Sequence, residues 1–200
     1  MDEALRPRQT MKAGDNPFAP GRLERVLGFD PLVAGTTWQA LEEKWRALGC
    51  RAAVTGRRGA GKSALLRTWA KRCDSPVMLH FNEQRRHLDE ADRHELAEGT
   101  SRFWFIDGED YLRRSDRHEL REASKAAAGI LVTRYRAGSW PELLHLTATP
   151  ATAAILLERV SAPFAERFHG DLDQRFRRCR GNLRELLLEC YDELSGRKVL

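Results

Sequence analysis

Residues 51–66 read Arg51-Ala52-Ala53-Val54-Thr55-Gly56-Arg57-Arg58-Gly59-Ala60-Gly61-Lys62-Ser63-Ala64-Leu65-Leu66. The run from Arg51 to Thr55 is short, mostly apolar and ends at a glycine, as a buried strand does. Gly56 to Ser63, GRRGAGKS, fits the spacing G-x-x-x-x-G-K-[ST]. Beyond it, Leu65, Leu66, Trp69, Ala70 and Cys73 mark one face of a helix. In this order of strand, glycine-rich turn and helix, successive backbone N–H groups converge on phosphate oxygens. The glycines let the chain turn and approach closely, and the helix start adds the positive end of its dipole. Gly56, Arg57, Arg58, Gly59, Ala60, Gly61, Lys62, Ser63 and Ala64 are therefore predicted to hold phosphates. Lys62 would reach the β- and γ-phosphates, and Ser63 would ligate Mg²⁺.

Such a site needs a carboxylate from a second strand. Phe103-Trp104-Phe105-Ile106-Asp107 supplies four apolar residues and delivers an aspartate to the strand's carboxyl end, where it would hold Mg²⁺. Hydrolysis also needs a group that orients or deprotonates water. Glu109 and Asp110 follow two and three residues later, and either fits, with Glu109 preferred.

Working outward, Pro76–Phe81, Gly129–Thr133 and Glu142–Thr147 read as further strands. A helix opens at Thr36-Thr37-Trp38-Gln39, with Thr36 as its cap, and ends near Gly49. Residues 83–98 read as a polar helical stretch, and 116–128 as an alanine-rich helix. From Pro150 the pattern is helical only: Thr149-Pro150 opens one helix, Asp171 with Gln174 a second, and Asn182 with Glu185 a third. Five short strands alternating with helices predict an α/β fold, a parallel sheet covered on both faces. The expected division is a loose arm over 1–15, a core over 16–149 and a helical lid over 150–200.

With these residues in hand, the chain resembles the AAA+ ATPases, of the P-loop class with an additional strand and a catalytic glutamate. The resemblance rests on GRRGAGKS at 56–63, FWFIDGED at 103–110, ILVT at 130–133 and GNLRE at 181–185. It also extends to compact bacterial ATPases that open on Asn-Pro-Phe. It implies a five-stranded sheet in the order 5-1-4-3-2 and ATP with Mg²⁺ as ligands. It further implies that Asn16 and Phe18 lie beside the adenine, that Thr133 is a sensor of the γ-phosphate, and that Arg184 is a lid arginine touching the same group. Only eight residues, 134–141, separate the fourth strand from the fifth, too few for the helix that carries an arginine finger in the family. Arg134 and Arg136 are read there as solvated charge or as groups reaching a neighbouring subunit.

Composition sets the outer bounds. At 200 residues, 42% apolar and 32% charged, the chain suits one domain with a real core, or one with a small appendage. No stretch approaches the ~18 apolar residues of a membrane span, and the first residues lack the apolar core of a secretion signal. The four cysteines form no CxxC pair, which predicts free thiols and a reducing, cytoplasmic setting. Net charge is +5, from 34 basic and 29 acidic residues.

Three functions fit this reading. The first is an ATP-hydrolysing module that passes its nucleotide state to a protein partner or to another copy of itself. The second is a small-molecule or nucleotide kinase with Arg175, Arg177, Arg178 and Arg180 clamping a phosphoryl group. The third is an ATP-binding nucleic-acid switch, suggested by seven arginines against three acids over residues 159–184.

Overall fold

The computed structural model describes residues 11, 12 and 14–196. Two units separate by their internal contacts: Phe29–Thr147, which holds the sheet, and the described parts of Met1–Gly28 and Ala148–Leu200, which are helical. The segment from residue 16 to residue 28, expected with the sheet, thus belongs to the helical unit. Most of the arm expected over 1–15 lies outside the described residues. Of the part within them, the Met11 N–H donates to the Leu194 carbonyl at 2.9 Å.

In the sheet unit, β1 (Arg51–Gly56), β2 (Val77–His80), β3 (Phe103–Asp107), β4 (Gly129–Arg134) and β5 (Glu142–Leu146) form one sheet in the order β2-β3-β4-β1-β5. Every pairing is parallel. This is the order 5-1-4-3-2 read from the other edge. Alternation along the strands sends Ala53, Trp104, Ile106, Ile130 and Val132 to one core. It sends Ala52, Val54, Phe105 and Leu131 to the other. The first face is covered from α4 (Glu90–Glu98) and α5 (Arg114–Ala123), through Leu96 and Leu120. The second is covered from α2 (Trp38–Ala47) and α3 (Lys62–Ala70), where Trp45 meets Trp69 edge-to-face with centroids 5.2 Å apart.

Three local readings differ from expectation. Thr37, not Thr36, caps α2, its hydroxyl accepting from the Ala40 N–H at 3.1 Å. Only Glu90–Glu98 of the 83–98 stretch is helical, because Asp89 and Asp92 form a reciprocal capping box there. Ahead of it, the Asn82 side chain accepts from the N–H groups of residues 84 and 85 and holds a turn instead. The predicted helix over 116–128 is shorter and lies earlier, at Arg114–Ala123, followed by a 3-10 turn.

The helical unit comprises α1 (Pro20–Val26), α6 (Pro150–His169), α7 (Leu172–Arg178) and α8 (Leu183–Leu194). Extended backbone at Ser161 breaks α6 two residues before Pro163, whose ring and missing N–H disfavour an unbroken ladder. Asn182 caps α8 as predicted, its Oδ1 accepting from the Arg184 and Glu185 N–H groups. Asp171 does not cap α7 with its side chain; its carboxylate accepts from Arg175 Nε at 2.7 Å. The core gathers Phe18, Phe168, Leu172, Phe176, Leu186 and Cys190, with Phe18 and Phe168 edge-to-face at 6.0 Å.

Candidate functional site

The carboxyl ends of β1, β3 and β4 bring the predicted phosphate loop beside the predicted metal carboxylate. At the loop, Gly56, Gly59 and Gly61 all have positive φ, where a side chain is strained. Gly56 is also tightly enclosed: a Cβ there would sit 2.3 Å from the Leu146 carbonyl oxygen on the neighbouring β5. Gly61 is the N-cap of α3, so Lys62 and Ser63 occupy the first helical turn, where the helix has unpaired N–H groups.

Lys62 lies back along the loop, its ammonium donating to the carbonyls of Gly56 (2.7 Å) and Arg57 (2.8 Å). Burial lowers its pKa from the usual lysine value, opposed by the negative charges of Asp110 and Asp107. Arg57 and Arg58 are exposed, Arg58 making a 3.2 Å ion pair with Glu83. Ala60 and Ala64 are half-buried.

Asp107 is buried and is the hub of the site. Its Oδ1 accepts from the Ser63 hydroxyl at 3.0 Å and the Thr133 hydroxyl at 2.7 Å, and its Oδ2 lies 3.1 Å from Nδ1 of His80. Thr133 is also buried, and its hydroxyl accepts from the Gly108 N–H at 2.7 Å. Expected to face a γ-phosphate, Thr133 here ties the end of β4 to the turn after β3. Gly108, at φ 81° with the Phe81 carbonyl 2.3 Å from where a Cβ would stand, makes that turn possible.

The two acids after the turn part company. Glu109 is 2% exposed and paired with Arg134 Nη1 at 2.5 Å, and it also accepts from Trp140 Nε1 at 3.3 Å. Burial raises its pKa, with Arg134 opposing. Asp110 stays partly exposed, its Oδ2 accepting from the Tyr135 N–H at 2.7 Å, and its charge is felt by Lys62. Arg134 is therefore neither solvated nor extended outward; Arg136 is exposed.

The remaining predicted residues lie in the helical unit. Asn16 is fully buried: its Nδ2 donates to the Tyr191 carbonyl (2.9 Å) and the Ser195 hydroxyl (3.0 Å), and its Oδ1 accepts from the Phe18 N–H. Phe18 is buried in that unit's core. Arg184 is exposed in the first turn of α8. Sequence reasoning missed His80, Tyr111, Tyr135 and the Arg134–Glu109 pair. The signal for His80 was its place at the end of the strand beside β3; the other three are partners only through the fold.

At least three of the seven arginines in the 159–184 stretch are paired with acids, one of these acids within the stretch and two beyond it. Arg175 reaches Glu189 (3.1 Å), Glu193 (2.8 Å) and Asp171 (2.7 Å), Arg178 pairs with Glu189, and Arg167 lies 3.1 Å from Glu193. Among the described residues, no helix is long and apolar enough to cross a membrane.

Comparison with solved structures places this fold beside RuvB of Thermotoga maritima. One RuvB point mutant superposes with a TM-score of 0.55 at 14% identity, over 81% of this chain and 61% of its own. A second RuvB mutant gives 0.47 at 12% identity, over 86% and 73%. A third structure, described as the RuvB Holliday junction branch migration motor, gives 0.43 at 14% identity, over 84% and 72%. The chain thus spans about three fifths of the first structure's length. No protein-family model and no curated protein matches the sequence. What is shared with the first of these is the fold, an α/β arrangement around a five-stranded parallel sheet whose order is the one the resemblance implied.

Proposed function

We propose that this chain binds ATP at the Gly56–Ser63 loop and hydrolyses it. The observation that carries the reading is the Ser63–Asp107–Thr133 hydrogen-bond chain, which joins the helix start after the loop to the carboxylate at the end of β3. A glycine-rich turn without a nucleotide to bind has no need of a buried aspartate at that point. The hydroxyl of Ser63 and the carboxylate of Asp107 are hard oxygen donors, and one such carboxylate with substrate phosphates and waters suits Mg²⁺. When bound, Mg²⁺ neutralises charge across the phosphate oxygens.

Phosphoryl transfer asks the protein for positioning and charge stabilisation. The loop amides and Lys62 bind the phosphate tail, Thr133 and His80 hold Asp107 in place, and Asp110 orients the attacking water. Asp110 takes that role over Glu109 because its carboxylate is the more exposed of the two and lies within electrostatic reach of Lys62. A kinase is less well supported, since Arg175 and Arg178 of the supposed clamp are held by Asp171, Glu189 and Glu193. The same ion pairs leave less free charge for a nucleic acid than the arginine count suggested.

The test is ATP binding and turnover with Mg²⁺ in wild type, Lys62→Ala and Asp110→Asn, across protein concentration. Lys62→Ala should lose binding, while Asp110→Asn should bind and turn over at least tenfold more slowly. A rate that rises steeply with concentration identifies self-association, and Arg184→Ala reports whether the helical unit takes part. Wild-type protein with no affinity for nucleotide ends the proposal.

A further inference from the structure

We infer that Tyr135 is a positioning residue for Lys62: its ring holds the ammonium on the phosphate loop, and Tyr111 holds the ring. This rests on the nucleotide-binding reading above and adds to it a contact from outside the loop. The Lys62 ammonium has three donors; two meet the carbonyls of Gly56 and Arg57. It lies 4.9 Å from the centroid of the Tyr135 ring, within the distance at which a cation is attracted to an aromatic face. A lysine side chain has several rotatable bonds, so a ring that fixes its head lowers the entropy lost when phosphates arrive.

Tyr135 is itself held from three directions. Its backbone N–H donates to Asp110, its hydroxyl meets the hydroxyl of Tyr111, and the two rings pack edge-to-face at 5.7 Å. Tyr111 is fixed in turn by its N–H donating to the Gly108 carbonyl at 3.0 Å. The pair therefore joins the turn after β3 to the residue that follows β4. Burial and the Tyr111 contact push the Tyr135 hydroxyl up to about 12, so the ring stays neutral at any ordinary pH and its face stays available to the ammonium. An exposed tyrosine serving only solubility has no need of these ties.

The experiment measures binding of a fluorescent N-methylanthraniloyl ATP with Mg²⁺, together with the melting midpoint, in wild type, Tyr135→Leu, Tyr135→Met and Tyr135→Phe. Both aliphatic variants should bind about fivefold more weakly, while Tyr135→Phe, which keeps the ring, stays within about twofold of wild type. Tyr135→Met serves as the second aliphatic variant should Tyr135→Leu fail to fold. Aliphatic variants that bind as tightly as wild type overturn the inference and leave the nucleotide site standing. A Phe variant as weak as the aliphatic ones overturns it too, because the hydroxyl rather than the ring would then matter. Wild type that does not bind the probe overturns both readings.

Discussion

Arg134 and Glu109 are 25 positions apart in sequence, yet they form the most enclosed ion pair of the sheet unit, with side chains 13% and 2% exposed. Removing one partner from such a pair strands the other charge in a poorly solvating place, which costs about 3–5 kcal/mol. Arg134→Met should lower unfolding free energy by an amount of that order in urea titration. Arg134→Met with Glu109→Gln should recover more than half of it, because the neutral amide still offers Trp140 an acceptor. A double variant as unstable as the single one would mean that Arg134 acts through packing, not charge. The same pair explains a gap between pattern and structure. An acid two residues past a strand-end aspartate reads as a candidate base, and its arginine partner from β4 is invisible to local sequence. The loop residues need no such partner to be recognised, because their spacing alone encodes the backbone bend and the helix start.

At the scale of elements, legibility followed periodicity. The central strands β1, β3 and β4 were readable because they are buried on both faces and so appear as near-continuous apolar runs. Helix α8 was readable because Leu183, Leu186, Leu187, Cys190 and Leu194 keep one buried stripe behind a capping asparagine. Short α1 was not, since Pro20–Val26 offers too few turns to display a stripe. The helical unit's two cysteines also carry a pH signature. Burial pushes the Cys190 thiol up to about 12, and burial with a hydrogen bond to Glu189 pushes Cys179 up to about 11, from an ordinary value near 9. Between those values the folded chain keeps protons that the unfolded chain has released, so stability falls as pH rises through the window from about 9 to 12. Melting midpoints taken over that range should decline in wild type and decline less in Cys190→Ala. Equal slopes would assign the alkaline loss to other groups.

For the molecule as a whole, two units mean two stabilities. The sheet unit buries an apolar cluster on each face of its sheet and the helical unit buries a third, and cooperative units of this kind open with separate free energies. Asn182→Ala removes the cap of α8, a loss of about 1 kcal/mol. Amide exchange should then quicken across α6, α7 and α8 while β1, β3 and β4 keep their protection. Uniform quickening would show that the units open as one.

The helical unit also has a consequence for biosynthesis. Asn16 finds its acceptors at Tyr191 and Ser195, 175 and 179 positions later, and everything in between includes the whole sheet. A ribosome delivers residues 29–147 before α6, α7 and α8 emerge, so the sheet can close while the earliest residues still wait for their partners. During that interval Phe18 has no core to enter. The nascent chain therefore presents an apolar segment ahead of a finished domain, the kind of feature a chaperone recognises.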